Sequence, residues 1–495
     1  MRTLETALWI TNLAIVIGCV MLSRKRRRPV SFCSWAAALT AALSIAQIFA
    51  EGYRWQMAPV YAASLAAGGM ALYHAGTSRK KTRNAASDMS GNPRPQLRGF
   101  KRLMIALVLC LYVTLSAALP SLLPVFTFTE PQGSYKVGTT TMMLEDERRE
   151  EPATEDRTDR RRLMIQIWYP AEAGTGSGEA PYIEHLPTVL EGLRQSVSMP
   201  PFLLSQLKYV QPHAMQDAEI SRDQERYPVL LFSHGLSGFR NQNTFQVTEL
   251  ASRGYIVVGI DHAYDAAAVV FPDRTAMLKL GNLSGFDAYE EKSRLWVEDA
   301  KFVLDELERM SGPAASGVLS GRLDLDKIGM FGHSFGGATA AQMLLADSRV
   351  KAALNMDGTL YGQPVPEGGF GKPYMQMNAE QSIDRAVFEQ SLDRAMASSG
   401  RSREDYEQFW AESVKRRSRA ESGEAHTFVF AHANHMSFTD FYLFSPLLPP
   451  KGAEPRQMHS SINALSAAFF DHYVKGDPGA SVEKAALSLP GLIQP

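Results

Sequence analysis

Gly332-His333-Ser334-Phe335-Gly336-Gly337 sets one hydroxyl between glycines two residues to either side. A serine in that setting does acyl-transfer chemistry when it occupies a strained strand-to-helix turn. The glycines remove side chains that would clash, Oγ is lifted clear of the sheet, and the helix that follows offers unsatisfied N–H groups to developing negative charge. The context fits: the apolar run 327–331 precedes the serine and the small-residue stretch 337–346 follows it.

A lone serine hydroxyl is a poor nucleophile and needs a base oriented by a third group. In folds that carry such a turn the chain order is serine, acid, histidine. The histidines after Ser334 are His426, His432, His435, His459 and His472. His459 and His472 flank or lie in a closing helix and read as structural, and His426 begins the last strand. The base belongs in the loop after that strand, which leaves His432 and His435; His435 is farther into the loop and is preferred. For the acid, two strand ends compete, Asp357 after the first strand beyond the nucleophile and Glu380 after the second. Gly358 suits a sharp exposed turn at Asp357, and aspartate is the commoner triad acid, so Asp357 is favoured. The oxyanion hole needs two preset backbone donors. One is the N–H of Phe335, and the other is the N–H of Leu236, in Ser233-His234-Gly235-Leu236 at the end of an early strand. His234 is then a turn residue, not a base.

These positions require particular elements behind them. Apolar runs at 163–169, 228–233, 255–260, 327–331, 350–355, 373–377 and 427–431 read as strands. Between them 243–253, 293–310 and 337–346 read as helices, and 462–474 as a closing one; Gly254 is the expected C-cap of the first. Continuous apolar strands alternating with helices imply a mostly parallel sheet covered on both faces, an α/β-hydrolase fold over 126–495. The charged, helical insertion 381–424 is expected to be an exterior excursion without direct chemical role, and the mixed-charge run 145–162 a solvated turn between two strands.

Residues 1–125 differ. Apolar stretches at 6–22, 31–50, 57–76 and 103–123 each approach the ~20 residues that a helix needs to cross ~30 Å of hydrocarbon. They predict an anchor of about four transmembrane helices. Arg24, Lys25, Arg26, Arg27 and Arg28 follow the first stretch, and Arg79, Lys80, Lys81, Arg83, Arg94, Arg98, Lys101 and Arg102 separate the third and fourth. Positive loops stay cytoplasmic, which puts the N-terminus and everything after Pro124 outside, in a multi-pass protein of the cell membrane. The third stretch, rich in Gly and Ala, decides this: without it the catalytic region faces the cytoplasm. The start, Met1-Arg-Thr-Leu-Glu, is barely basic and the basic cluster follows the apolar run, an order that suits an uncleaved helix over a signal peptide.

Composition excludes several classes. Lys+Arg is 51 against Asp+Glu 52, so global charge points to no nucleic-acid partner. Cys19, Cys33 and Cys110 all lie in the apolar N-terminal runs, which removes disulfide staples, cysteine-ligated metals and a cysteine nucleophile from the rest. His432-Ala-Asn-His435 has no acidic or cysteine partner arranged nearby, and Asp261-His262 reads as a hydrogen-bonding pair in a loop. No Walker-type phosphate loop occurs. No metal and no cofactor is expected.

Four segments together resemble the plasma-type platelet-activating-factor acetylhydrolases: Leu231-Phe-Ser-His-Gly-Leu-Ser-Gly-Phe-Arg240, Leu250-Ala-Ser-Arg-Gly-Tyr-Ile-Val257, Asp326-Lys-Ile-Gly-Met-Phe-Gly-His-Ser-Phe-Gly-Gly-Ala-Thr339 and His435-Met-Ser-Phe-Thr-Asp-Phe441. The resemblance spans most of 163–476 and leaves out the N-terminal stretches. It implies a calcium-independent α/β hydrolase that removes short or oxidised acyl groups from phospholipids. Its serine and histidine map to Ser334 and His435, its oxyanion donors to Leu236 and Phe335. Its acid, on the strand after the nucleophile, maps to Asp357 and tips the choice over Glu380. Asn355-Met-Asp-Gly departs from the usual Asp-Ala-Trp-like run, which bears on the acyl pocket. The expected partners are a lipid or other small ester and a membrane. Two other readings stay open: a general carboxylesterase or polyester hydrolase, and a non-catalytic membrane receptor or scaffold with a hydrolase-like domain.

Overall fold

Seven consecutive buried residues, Tyr227–Ser233, form a strand without polar–apolar alternation, as a strand covered on both faces should. In the computed structural model, which describes residues 1–22, 30–69, 72, 97–197, 199–281, 283, 285–312 and 317–493, this strand is the centre of a ten-stranded sheet. The strands in chain order are β1 Lys136–Glu150, β2 Arg160–Ala171, β3 Met215–Gln216, β4 Tyr227–Ser233, β5 Ile256–Asp261, β6 Ala268–Val270, β7 Thr275–Met277, β8 Leu323–His333, β9 Val350–Met356, β10 Tyr374–Ala379, β11 Ala425–Phe430 and β12 Leu492–Ile493. The sheet order is β12-β11-β10-β9-β8-β4-β5-β2-β1-β3, and β6 pairs with β7 apart from it. From β11 to β5 every neighbouring pair is parallel, whereas β2 joins β5 antiparallel. This is the α/β-hydrolase arrangement. The chain leaves β4 for β5 on one side and returns to β8 on the other. The C-terminal ends of β4 and β8 therefore flank a topological switch point, where open α/β sheets take their ligands.

Leu163, Ile165, Val229, Leu231, Val258, Ile328 and Met330, all fully buried, fill one face of the sheet with Leu304 and Leu307 of the helix Gly285–Ser311. Each such side chain contributes roughly 1.5–3 kcal/mol by burial. The charged run 145–162 does turn between two strands, β1 and β2, but part of it is buried instead of solvated. Arg161 is 1% exposed and forms ion pairs with Glu151 and Asp299, 2.9 and 2.6 Å away. The side-chain alternation of β2 turns Arg161 inward, and a buried guanidinium is tolerated only when it is paired.

The insertion after β10 folds as Glu380–Ile383, Arg385–Ser399 and Arg403–Ala420. Asp384 caps the second of these by accepting the Ala386 N–H, and Gly400 ends it in the left-handed region at φ 72°. A Ser402/Asp405 capping box opens the third.

Contacts divide the chain into two compact units, one of Phe126–Phe444 with Leu448–Pro495 and the other of Met1–Val125 with Ser445–Leu447. The smaller contains α1 Thr3–Leu22, α2 Val30–Glu51, α3 at residues 58–69 and α4 Leu97–Ser116. Ile15, Val16, Ala36, Ala63, Ala67 and Val113 pack between them. Asn12 donates to Ser64 Oγ at 2.8 Å, and Trp9 Nε1 to the Val113 carbonyl at 2.7 Å. Arg54 gathers one end of the unit. Its guanidinium pairs with Glu5 at 2.7 Å and donates to the carbonyls of Leu123 and Pro120. The start of α1, the end of α2, the start of α3 and the segment after α4 therefore meet, and the four helices run alternately.

Only one helical window among the described residues, Ser34–Glu51, is both long and apolar enough to cross a membrane; Thr3–Gly18 and Leu107–Leu122 are shorter apolar helices. By length and composition the described residues thus support one candidate span, against the four expected. Glu5 and Asn12 interrupt α1, and Arg98, Lys101 and Arg102 occupy the start of α4. The basic residues 24–28, the segment 84–96 and most of the third stretch beyond residue 69 lie outside the described residues.

Candidate active site

β8 runs into the helix Phe335–Ala346 through Ser334, whose backbone sits at φ 54° and ψ −121°. A non-glycine residue at such a positive φ costs on the order of 1–3 kcal/mol and persists only where the surroundings impose it. They do so here. A Cβ on Gly332 would come within 2.3 Å of Gly336, and one on Gly336 within 2.0 Å of the Ser233 carbonyl. The turn can thus press against the end of β4 only with glycine on both sides of the serine. The Ser334 N–H donates to the Met356 carbonyl at 2.8 Å, which ties the turn to β9.

The structure brings Ser334, His435 and Asp357 together. Ser334 Oγ is 2.8 Å from His435 Nε2, and His435 Nδ1 is 2.7 Å from Asp357 Oδ2. Asp357 follows β9 at φ 57° and its carboxylate is 2% exposed, while the His435 side chain is 45% exposed. His435 opens a 3-10 turn, His435–Phe438, whose first N–H groups are capped by Asn434. The rival residues meet each other instead. Glu380 accepts the backbone N–H of His432 at 2.6 Å, beside the triad and not in it.

Several partners escaped the sequence reading. Asp357 Oδ1 accepts the Ala379 N–H at 2.8 Å, and its Oδ2 accepts the Ser382 hydroxyl at 2.6 Å. Ser382 belongs to the insertion, which was expected to lie apart from the chemistry; the short turn Glu380–Ile383 at the end of β10 brings it back to the triad. His333 Nε2 donates to the His435 carbonyl at 2.8 Å, and its Nδ1 accepts from Gln242 Nε2 at 3.0 Å. Burial, followed by the neighbouring His435, holds the His333 pKa well below its usual range, so this ring stays neutral. Gln242 Oε1 accepts the Gly235 N–H at 3.3 Å. The nucleophile turn, the loop after β4 and the base are thus joined through one glutamine. These contacts span 91 residues or more between Gln242, His333 and His435, and nothing local marks them; the histidine preceding Ser334 was the single visible hint.

The N–H groups of Leu236 and Phe335 have no hydrogen-bond partner among the described residues. Phe335 is the first residue of its helix, where intrahelical acceptors are lacking. The side chains of Leu236 and Phe335 lie in an aromatic cluster with Trp296, Tyr289, Tyr361, Phe286 and Phe409. Phe409 comes from the insertion and packs 4.7 Å from Phe286, centroid to centroid. Asp261 accepts the Arg240 N–H at 2.6 Å and His262 bonds Asp299 at 2.9 Å, so both are committed to hydrogen bonds within the protein.

The sequence profile of a family described as platelet-activating factor acetylhydrolase, isoform II, matches residues 124–301 and 315–451, which include Leu236, Ser334, Phe335, Asp357 and His435. A platelet-activating factor acetylhydrolase of Cavia porcellus is 28% identical over 248 residues, 44% of this chain and 55% of that protein. A probable 1-alkyl-2-acetylglycerophosphocholine esterase of Arthroderma benhamiae is 30% identical over 165 residues, 32% of this chain and 39% of that protein. The chain thus spans about half, or less, of the length of these relatives. Among solved structures, a ferulic acid esterase from Streptomyces cinnamoneus superposes with a TM-score of 0.56 at 25% identity, over 75% of this chain and 99% of its own.

Proposed function

The chain belongs to the platelet-activating factor acetylhydrolase, isoform II, family, and from that premise we propose that it is a membrane-anchored serine ester hydrolase that cleaves short acyl esters of lipids. The observation that carries the reading is the continuous hydrogen-bonded line Ser334–His435–Asp357 beside two unpartnered N–H groups, those of Leu236 and Phe335.

In the proposed reaction His435 Nε2 takes the Ser334 hydroxyl proton as Oγ attacks the ester carbonyl. The carbonyl oxygen becomes an oxyanion and is held by the N–H groups of Leu236 and Phe335. Asp357 accepts the Nδ1–H bond and stabilises the imidazolium without taking the proton. The C–O bond to the alcohol breaks, His435 protonates the departing oxygen, and an acyl-Ser334 ester remains. Water then loses a proton to His435 as it attacks, the acid departs, and the proton returns to Ser334.

The likeness to a ferulic acid esterase and the aromatic cluster beside Leu236 and Phe335 support a second reading, a carboxylesterase without phospholipid preference. Purified protein offered a 2-acetyl phospholipid and an aryl ester of equal acyl length separates them: a kcat/KM at least about tenfold higher on the phospholipid is expected, and equal values would leave the general esterase. Turnover and fluorophosphonate labelling absent from the intact chain would leave the non-catalytic scaffold.

The anchor rests on the smaller unit. Trp35, Phe49, Leu65, Val108, Leu111 and Leu115 are all more than half exposed, far more apolar surface than a water-facing bundle tolerates. Their exposure, the apolar window Ser34–Glu51 and the alternation set by Arg54 support four helices inserted together. On this reading the basic loops of the sequence stay cytoplasmic and the catalytic unit is extracytoplasmic. Reporter fusions after Phe126 test it: periplasmic alkaline phosphatase activity is expected, and activity only from a cytoplasmic reporter would reverse the orientation.

A further inference from the structure

The direction of the Leu236 N–H is set by the other end of its peptide bond. That bond is trans, so the Gly235 carbonyl and the Leu236 N–H point opposite ways. The carbonyl is held from behind by two donors, His234 Nδ1–H at 2.7 Å and the Gly238 N–H at 2.8 Å. With the oxygen fixed there, the N–H is turned to the other side of the loop.

His234 can donate only while Nδ1 carries the proton. Its Nε2 accepts the backbone N–H of His262 at 3.3 Å, which fixes that tautomer. The His262 ring is itself locked. Its Nδ1–H donates to Asp299 at 2.9 Å, its Nε2 accepts the hydroxyl of Ser233 at 2.9 Å, and Trp296 stacks on it with centroids 3.8 Å apart and planes within 10°. Arg161 grips both oxygens of Asp299, at 3.0 and 2.6 Å. Ser233, His234, His262, Asp299, Arg161 and Trp296 are each at most 1% exposed. Burial holds His234 down to about 4 and moves His262 in the same direction, so both rings are neutral at pH 7, as the hydrogen bonds require. Asp261, 3.9 Å from His234, is engaged by Arg240, and Asp265 by Lys292 and Trp296.

We propose that His234 is a positioning residue for acyl transfer: it presets the Leu236 N–H by holding the Gly235 carbonyl, and the buried Asp299–His262–Ser233 chain holds His234 in place and in the donating tautomer. Ser233 immediately precedes His234, and His262 supplies the N–H that caps its ring, so one imidazole fixes both sides of the device. The inference rests on the reading of Leu236 as an oxyanion donor. It goes beyond that reading by assigning a task to side chains that never touch substrate.

The test compares two amides. Asn at position 234 carries an N–H where Nδ1–H stands, whereas Gln carries its N–H at the Nε2 end. The probe for the hole is a short alkyl trifluoromethyl ketone, whose reversible adduct with Ser334 places an oxyanion between the two donors. Loss of one such donor costs about 10²–10³ in turnover. His234→Gln is expected to lower kcat by about 10², with KM within about threefold, and to weaken the ketone by a similar factor. His234→Asn is expected to recover at least about tenfold of both, and Ser233→Ala to lose about three- to tenfold of both. A merely structural role would lower the melting temperature of the two amides alike and leave His234→Asn and His234→Gln with the same kcat and the same ketone affinity. Equal kcat and equal ketone affinity for His234→Asn and His234→Gln, both folded, would overturn the inference, as would a fall in kcat without a fall in ketone affinity. If the amides do not fold, a twofold or smaller change of both quantities in Ser233→Ala overturns it. Failure of the underlying reading looks different: the wild-type protein would not bind the ketone, or Ser334→Ala would keep its turnover.

Discussion

The molecule contains two Ser–His–Asp lines of the same polarity, one open and one closed. In the open one Ser334, His435 and Asp357 are joined at 2.8 and 2.7 Å; in the closed one Ser233, His262 and Asp299 are joined at 2.9 and 2.9 Å. Residue types and hydrogen-bond distances hardly distinguish them. What differs is access and the state of the carboxylate. The His435 side chain is 45% exposed, and His262 is fully buried under Trp296. Asp357 is held by neutral donors, Ala379 N–H and Ser382 Oγ–H, which leave its charge to stabilise an imidazolium. Asp299 gives its charge to Arg161. A hydrogen-bonded triad becomes a nucleophile only where the serine is reachable, two N–H groups face it and the acid keeps its charge for the histidine.

The largest expected effect separates the two serines. Ser334→Ala should lower kcat by about 10⁶ and abolish fluorophosphonate labelling, while Ser233→Ala keeps the label and loses under about tenfold. Labelling that survives in Ser334→Ala would mean that the open line is not the nucleophilic one. The two acids should divide in the same way. Asp357→Asn should cost about 10⁴ in kcat with the melting temperature nearly unchanged, since the histidine loses its orienting carboxylate. Asp299→Asn should cost about 3 kcal/mol of stability, measured by urea unfolding, by leaving Arg161 short of a buried counter-charge, with a loss of kcat of under about tenfold transmitted through His234. A folded, fully stable Asp299→Asn protein would remove the distinction.

These contrasts show what can be read along a chain and what cannot. Ser334 was legible because glycines, a strand and a helix are all local to it. His435 was legible because the loop after the last strand is where such folds put the base, whereas two strand ends left Asp357 against Glu380 until the family resemblance tipped the choice. The line through Ser233, His262 and Asp299 was not legible: His262 read only as a loop hydrogen-bonding residue, Asp299 sits mid-helix, and Arg161, its partner, is 138 residues away in a run that looks solvated. The strands followed from their apolar runs, though β8 and β2 extend beyond them at both ends, because pairing continues where side chains turn polar. The smaller unit was the hardest. Apolar runs suggested four spans, but Glu5 and Asn12 fall within α1 and Arg98, Lys101 and Arg102 at the start of α4, so among the described residues only Ser34–Glu51 is long and apolar enough to cross a membrane.

Acid should destabilise the catalytic unit through its buried histidines. His234 and His459 are held by burial at about 4, against 6.5 when unfolded, and His333 is displaced the same way. A depressed histidine pKa means that the unfolded chain binds the proton first. The associated stability is complete above about pH 6.5 and is lost as pH falls toward about 4, by about 1.4 kcal/mol per pH unit for each group. Melting temperatures of the catalytic unit should fall through that window, and His459→Gln should flatten the slope. An unchanged slope would mean that the histidine is accessible in the folded protein. His459 is the suitable site for this measurement because it stacks on Phe245 and donates to the Thr439 carbonyl, away from both triads.

The smallest expected effect bears on why the open line needs an insertion at all. Ser382 donates to the same Asp357 oxygen that accepts His435 Nδ1–H. It fixes the carboxylate plane at that oxygen, whereas Ala379 N–H fixes it at the other. Removing one hydrogen bond to a charged group is worth about 1.5–3 kcal/mol in a buried site; part of this returns when water replaces the hydroxyl. Ser382→Ala should therefore lower kcat by roughly tenfold at unchanged KM, and Ser382→Thr, which keeps the donor, should recover most of it. The same substitution would move KM and leave kcat alone if the insertion only shaped the entrance. A loss confined to kcat places its first turn in the service of the acid, the role that Arg161 fills, with a full charge and no turnover, for Asp299.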